Sequence, residues 1–355
     1  IFGIFRSLKR HFGQVTVNFG EPLRLQEFMD EQLPEWQQLT EIPSVQLSET
    51  CLLLAENLVT RINESVAVKP TNLVAVALLS TAKQNIEEQY LLDQIELLLA
   101  IARKCGPSGC SITNATPKEI LEQAIDISGL SRTEHQFGTI VSASPEQSIT
   151  LTYNANNVIH VYAMPSLVAR FVRTETKTDR NALAEFIKPL YPFLKSEMFL
   201  SWDIIDLEGV LDSVIESLSE LGLIAINGDQ IAIPSPESPE YNSLQDIASI
   251  TDPTLERFYI VMALLQQSNR PSLKALESAS AGIAEQLSVI YGINSPEFFD
   301  KSLFSTFLRQ LKSEQVVDTE LAVGEYFAPL ESATARSLDA DVRYNILQAV
   351  RKFNN

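Results

Sequence analysis

The ten residues from Gly13 to Pro22, Gly-Gln-Val-Thr-Val-Asn-Phe-Gly-Glu-Pro, constrain the fold more than any other part of this chain. Val15, Val17 and Phe19 alternate with Gln14, Thr16 and Asn18, the period of a half-buried strand. Gly20 and Pro22 then end it. A strand needs a neighbour to satisfy its backbone, yet the next strand signal lies far downstream. The spacing therefore predicts a strand over 14–19 that completes a sheet built by sequence outside this chain. The first residue is Ile1, and the segment reads as the end of a truncated α/β domain.

Residues 1–12 are expected to form a short basic amphipathic helix. Ile1, Ile4, Phe5, Leu8 and Phe12 share one face, with Arg6, Lys9 and Arg10 off it. Such a helix suits either packing against the missing sheet or an anionic surface. Beyond Pro22 the pattern is helical, with predicted helices over 25–33, 48–66 (capped by Ser48), 71–83 and 86–105. A loop is expected over 106–114. Thr116-Pro117-Lys118-Glu119 reads as a capping box with proline at the first helical position.

A hairpin is expected from 138–143 and 148–153, turning at Ser144-Pro145-Glu146-Gln147. Asn156 then caps a helix over 156–172, and another covers 179–200. Pro165, Pro189 and Pro192 should kink or break these two. A helix over 207–221 precedes a second hairpin, for which Asn227-Gly228 between two isoleucine-rich runs is the signal. Helices over 242–250, 253–268, 272–291 and 296–313 follow. A second helix-and-strand unit is read at 304–327, and Ser337 is expected to cap a last helix to Phe353.

The fold class is mainly α with small β-hairpins (α+β). The expected division is 1–33 as the end of the truncated domain and 34–202 as a helical subdomain with one hairpin. Residues 203–355 form a helical subdomain with winged-helix-like hairpins.

Charge and residue type exclude several functions. The formal net charge of −18 repels phosphodiester backbones. The winged-helix outline at 207–233 carries Asp229 at its tip, not a basic residue, so it reads as scaffold and not as a nucleic-acid reader. Apolar runs such as Leu73–Leu79 and Leu97–Ala102 are too short to span a bilayer. Three cysteines provide no disulfide framework.

Candidate chemistry is sparse. The only histidines are His11, His135 and His160, and the residues five positions on are Thr16, Ile140 and Pro165. No histidine therefore has the acid of a His-x4-Asp pair. His160, in Val158–Met164, reads as a hydrogen-bonded core histidine. Cys105 and Cys110 lack the second pair of ligands that a metal centre needs. No catalytic residue, metal site or cofactor is assigned, and the substrate-binding residues are left open.

Several stretches resemble one family. Arg6–Pro22 is similar to the segment that closes the acyltransferase domain of bacterial and mitochondrial-type membrane glycerol-3-phosphate acyltransferases. The resemblance continues through Val59–Asn63, Leu73–Leu79, Met164–Ala169, Leu190–Asp203 and Leu287–Lys301. It implies that the chain is the C-terminal region of an enzyme moving an acyl group from acyl-carrier protein or acyl-CoA to the sn-1 hydroxyl of glycerol 3-phosphate, the first committed step of phospholipid synthesis. In that family a His-x4-Asp pair is the base, and Arg- and Gly-rich blocks hold the phosphate, all before Asn18–Pro22. The resemblance therefore implies a region inactive alone, no catalytic residue here, and a place at the cytoplasmic face of the inner membrane. At Thr152–Asn157 this chain has Ala155 where the family has arginine, which leaves Asn156 and Asn157 without an implied ligand role. The alternative expectation is a non-catalytic module that docks a partner or a membrane surface.

Overall fold

A computed structural model describes residues 13, 15–39, 41–81, 84–175, 178–266, 272–291, 296–318 and 321–353. The basic helix expected over 1–12, with His11, lies outside the described residues. So does Gln14 at the start of the expected strand. Residues 15–23 are extended but join no strand. Val15 is 91% exposed and Phe19 94% exposed, so the half-buried pattern has no sheet to bury it among the described residues. The backbone needs a ladder to become a strand, and no strand pairs with it among the described residues. The Asn18 amide holds the segment down by donating to the Ser65 carbonyl (2.7 Å) and Ser111 Oγ (3.0 Å).

The first part is a run of helices with short strands between them. They are α1 (Leu25–Gln32), α2 (Ser44–Glu64), β1 (Ala67–Val68), α3 (Pro70–Leu79), β2 (Asn85–Glu87), α4 (Glu88–Cys105), β3 (Ser111–Ile112) and α5 (Pro117–Ser128). Ser44 and not Ser48 opens α2; the Ser48 hydroxyl donates back to the Ser44 carbonyl inside the first turn. Pro70 starts α3 instead of merely ending the helix before it, because the first helical position needs no N–H. Ile86 belongs to a strand, and the loop expected at 106–114 contains β3, which pairs in parallel with β1.

The hairpin is displaced from its expected position. It is built from β4 (Ser131–His135) and β5 (Gly138–Ser142), to which β2 adds on the other edge of β5. Residues 148–153 are not strand but part of α6 (Pro145–Asn156). Ser144 accepts from the Gln147 N–H, and the Gln147 side chain accepts from the Ser144 N–H. That reciprocal pair is a capping box, so Ser-Pro-Glu-Gln starts a helix where it reads as a turn. Asn156 is consequently the last residue of α6 and not an N-terminal cap.

α7 (Ile159–Thr174) contains Pro165 without breaking, and Pro189 separates α8 (Arg180–Ile187) from α9 (Tyr191–Met198). After α10 (Leu207–Glu220) comes the expected hairpin, β6 (Ala225–Asn227) and β7 (Gln230–Ala232), turning at Gly228 with φ +63°. The chain ends with α11 (Pro239–Ser249), α12 (Asp252–Leu265), α13 (Leu273–Tyr291), α14 (Lys301–Ser313), α15 (Phe327–Arg336) and α16 (Ala340–Phe353). Among the described residues the second helix-and-strand unit has a single bridge, between Val317 and Val323. Ser337 ends α15 and does not open α16; the Asp339 carbonyl accepts the first bond of that helix.

The molecule is mainly helical with small β elements, as the sequence predicts. One buried apolar cluster extends from Val68 to Val350. Its centre is α7, an apolar helix enclosed on nearly all sides, with α11 packed along it; α12 is the most buried helix of the second half. Among the described residues no helix is long and apolar enough to cross a membrane. By contrast α2, 21 residues long, buries only Thr50 and leaves Val45, Leu47, Leu52, Leu53, Leu58 and Ile62 exposed.

Candidate functional site

Two hollows flank the turn between α6 and α7. The outer one is an open cleft of about 720 Å3, walled by residues 13–23, the end of α2, the start of α3 and Tyr153–Asn157. Its lining is rich in amides, including Asn18, Asn72, Gln123, Asn154, Asn156 and Asn157. Several of these are held in place. Asn72 accepts from the Lys69 N–H (2.8 Å) and donates to the Asn154 carbonyl (2.7 Å). Arg61 reaches the cleft from α2, anchored by Nε on Asn57 Oδ1 (2.8 Å) and Nη1 on the Glu21 carbonyl (3.1 Å). This wall can form hydrogen bonds to a ligand or a docked segment. No histidine or cysteine lines it among the described residues.

The inner hollow is a cavity of about 390 Å3 between α3, α6, α9, α12 and α14. His160 lies at its edge and is buried. Its Nε2 is 3.0 Å from the Asn63 carbonyl oxygen. Burial holds its pKa down to about 4, so the ring is neutral at pH 7. A carbonyl can only accept, so Nε2 carries the proton. No carboxylate orients it, as the core-histidine reading requires.

His135 sits on β4, exposed, with the Phe137 N–H donating to its Nδ1 at 3.4 Å. It is distant in sequence and fold from both hollows, so the two described histidines are not brought together. Cys105 and Cys110 are free thiols, and burial raises the pKa of each. Among the described residues no group of three or more metal-ligating side chains converges. Ala155 is buried and lines the inner cavity, so an arginine there would project into that space. Asn156 borders both hollows.

Two residues of the inner cavity are brought together by no signal in the sequence. Glu197, on α9, accepts through Oε1 from Thr254 Oγ1 (2.9 Å) and from Arg257 Nη2, both on α12. Sixty residues separate the pair, and only the packing of α9 on α12 brings them together. Glu197 lies in the family-like stretch Leu190–Asp203, but nothing in that stretch points to Arg257.

A family model described as the glycerol-3-phosphate acyltransferase C-terminal region matches residues 1–320. The chain belongs to this family. Curated relatives agree. The chain is 35% identical over 359 residues to the glycerol-3-phosphate acyltransferase of Pseudomonas aeruginosa (strain UCBPP-PA14), covering 98% of the chain and 43% of that protein. It is 34% identical over 359 residues to that of Pseudomonas fluorescens (strain Pf0-1), with the same coverages. It is also 34% identical over 365 residues to that of Pseudomonas savastanoi pv. phaseolicola (strain 1448A / Race 6), covering 100% of the chain and 44% of that protein. The chain thus spans less than half the length of these relatives. The family resemblance read from Arg6–Pro22 and the later stretches is correct.

Proposed function

We propose that the chain serves as the helical C-terminal region of a glycerol-3-phosphate 1-O-acyltransferase. The reaction moves an acyl group from acyl-CoA or acyl-carrier protein to the sn-1 hydroxyl of glycerol 3-phosphate, at the cytoplasmic surface of the inner membrane. The observation that carries this reading is the family match over nearly the whole chain. In this reading the chain supplies no reacting group. The base is a His-x4-Asp pair in an acyltransferase domain, where the histidine takes the proton of the attacking hydroxyl and the aspartate orients it. The chemistry of the described histidines supports that division: His160 is a neutral, buried donor to a carbonyl and His135 has no acidic partner among the described residues.

We read 1–33 as the closing segment of that acyltransferase domain, with 34–202 and 203–355 as two helical subdomains. The exposed Val15, Val17, Phe19 and the apolar side chains of α2 then become the surface on which the catalytic domain rests. The outer cleft lies at that junction.

The test is acyl transfer measured with labelled acyl-CoA and acyl-carrier protein. The chain alone should give no lysophosphatidate, and the same chain joined to an acyltransferase domain carrying His-x4-Asp should give it. Turnover by the chain alone would overturn this division of labour. A second reading, a docking module for a membrane, draws on the same exposed apolar residues. Flotation with anionic liposomes distinguishes it: binding by the chain alone, lost on removing residues 1–12, favours the membrane.

A further inference from the structure

The inner cavity has an apolar body and a polar end. Val76, Leu79, Ile159, Met198, Ile250 and Leu303 supply the apolar wall. Its volume of about 390 Å3 lies within the roughly 300–1,000 Å3 of small-molecule pockets.

At the polar end the Arg257–Glu197 pair is joined through one nitrogen and one oxygen only. Arg257 is 5% exposed, and its hydrogen bonds among the described residues all come from Nη2, to Glu197 Oε1 and Thr254 Oγ1. Nε, Nη1 and Glu197 Oε2 make none, yet none is sealed in packed protein. The pair therefore presents N–H donors beside a carboxylate acceptor. His160 adds an acceptor, since Nε2 holds the proton and Nδ1 is left with a lone pair. The Asn156 amide makes no hydrogen bond among the described residues and adds one donor–acceptor group.

A group that satisfies such a set must both donate and accept without bringing net charge. A hydroxyl does so. An anionic head is disfavoured, because Arg257, the one cation lining the cavity among the described residues, is already neutralised by Glu197. Asp300, exposed at the rim, adds a further negative charge; its carboxylate caps α14 through the Ser302 N–H (2.8 Å). The backbone around the cavity is also held in costly conformations. Gln84 (φ +48°) and Phe199 (φ +49°) both border it, in a region that side chains with a Cβ seldom adopt.

We propose that this cavity binds a neutral single-chain amphiphile with a hydroxylated head, the chemistry of a monoacylglycerol. The alkyl chain lies along the apolar wall, and the hydroxyls meet Arg257, Glu197 and His160. The proposal does not rest on acyl transfer, because it concerns occupancy of a cavity lined by described residues of this chain.

The experiment is calorimetric titration of the purified chain with 1-monooctanoylglycerol, below its micelle concentration, and with octanoate at pH 7.5. The expected result is saturable one-site binding of the glyceride and at least tenfold weaker binding of octanoate. Leu303→Trp, which adds bulk to the apolar wall, should weaken the glyceride at least tenfold. Ile205→Ser, on an exposed turn outside the cavity lining, should leave it unchanged. Leu79→Phe narrows the cavity from α3 and gives the same reading if Leu303→Trp does not fold. Absence of saturable glyceride binding, octanoate binding as tightly as the glyceride, or undiminished binding in a folded wall variant would each overturn the proposal.

Discussion

His160 ties local chemistry to the pH response of the whole chain. Its pKa in the fold is about 4, against an ordinary 6.5 in an unfolded chain, because burial disfavours the imidazolium. Between those values the unfolded chain binds the extra proton and the folded one does not. Stability is therefore full above 6.5 and falls as the pH drops towards 4. From pH 7.5 to pH 5 this one residue removes about 2 kcal/mol. Urea unfolding at the two pH values checks it, with His160→Gln as the comparison, since a glutamine amide can still donate to Asn63. The change between the two pH values should differ by about 2 kcal/mol between the chain and the variant; an equal change in both would place the effect elsewhere. Arg170 makes a second case. It is fully buried in α7, where it donates to the Ala248 carbonyl (3.3 Å), pairs with Asp252 and stands 3.6 Å from Asp339. Arg173 makes two bonds of 2.7 Å to the same Asp339. Breaking a buried pair costs roughly 3–5 kcal/mol, and here both acids are partly solvated, so Arg170→Met should cost about 3 kcal/mol in urea unfolding. A loss below about 1 kcal/mol would mean that water already serves both carboxylates. Nothing in the sequence marked Arg170, since an arginine in an apolar helix reads as one that reaches out to water.

At the scale of the elements, what could be read from the sequence followed the strength of local chemistry. Thr116-Pro-Lys-Glu119 was legible because threonine, proline and glutamate each favour the same helix start, and the structure has that capping box. Asn227-Gly228 was legible because the left-handed turn it needs suits few other residues. Ser144-Pro-Glu-Gln147 was not, because serine and proline serve turns and helix starts equally. What decides it is the Gln147 side chain, bonded to both the Ser144 N–H and the Gly129 carbonyl, a contact that crosses from α6 to the residues before β4. Ser144→Ala should therefore cost about 1 kcal/mol in urea unfolding, as caps of this type do. Ser48→Ala should change stability by less than about 0.5 kcal/mol, because Ser48 lies on the exposed side of α2 and starts nothing. The reverse order would restore the cap to Ser48. The candidate site was less legible than the fold. Asn156 and His160 could be singled out from sequence, but Glu197 and Arg257 meet only through the packing of α9 on α12.

For the whole molecule, the contrast that matters is between α7, enclosed by the core, and α2, which buries one residue in 21. A 21-residue helix gains little from propensity alone and normally earns its stability by burying one face. α2 leaves Leu52, Leu58 and Ile62 in water, beside the extended residues 15–19 whose apolar side chains are also bare. Its charged residues are Glu49, Glu56, Arg61 and Glu64, so an anionic bilayer finds little to attract it there. A protein surface suits it better, and in the proposed function that surface is the acyltransferase domain. Leu52→Glu with Ile62→Glu separates the two states of this helix. In the chain alone both side chains face water, so unfolding should shift by no more than about 0.5 kcal/mol per substitution. In a full acyltransferase carrying this region the same carboxylates would be buried against the catalytic domain, at a cost of several kcal/mol. Acyl transfer by that protein should then fall at least tenfold. An unchanged rate in the joined protein would mean that the exposed side of α2 faces solvent there too, and that the catalytic domain rests on some other surface.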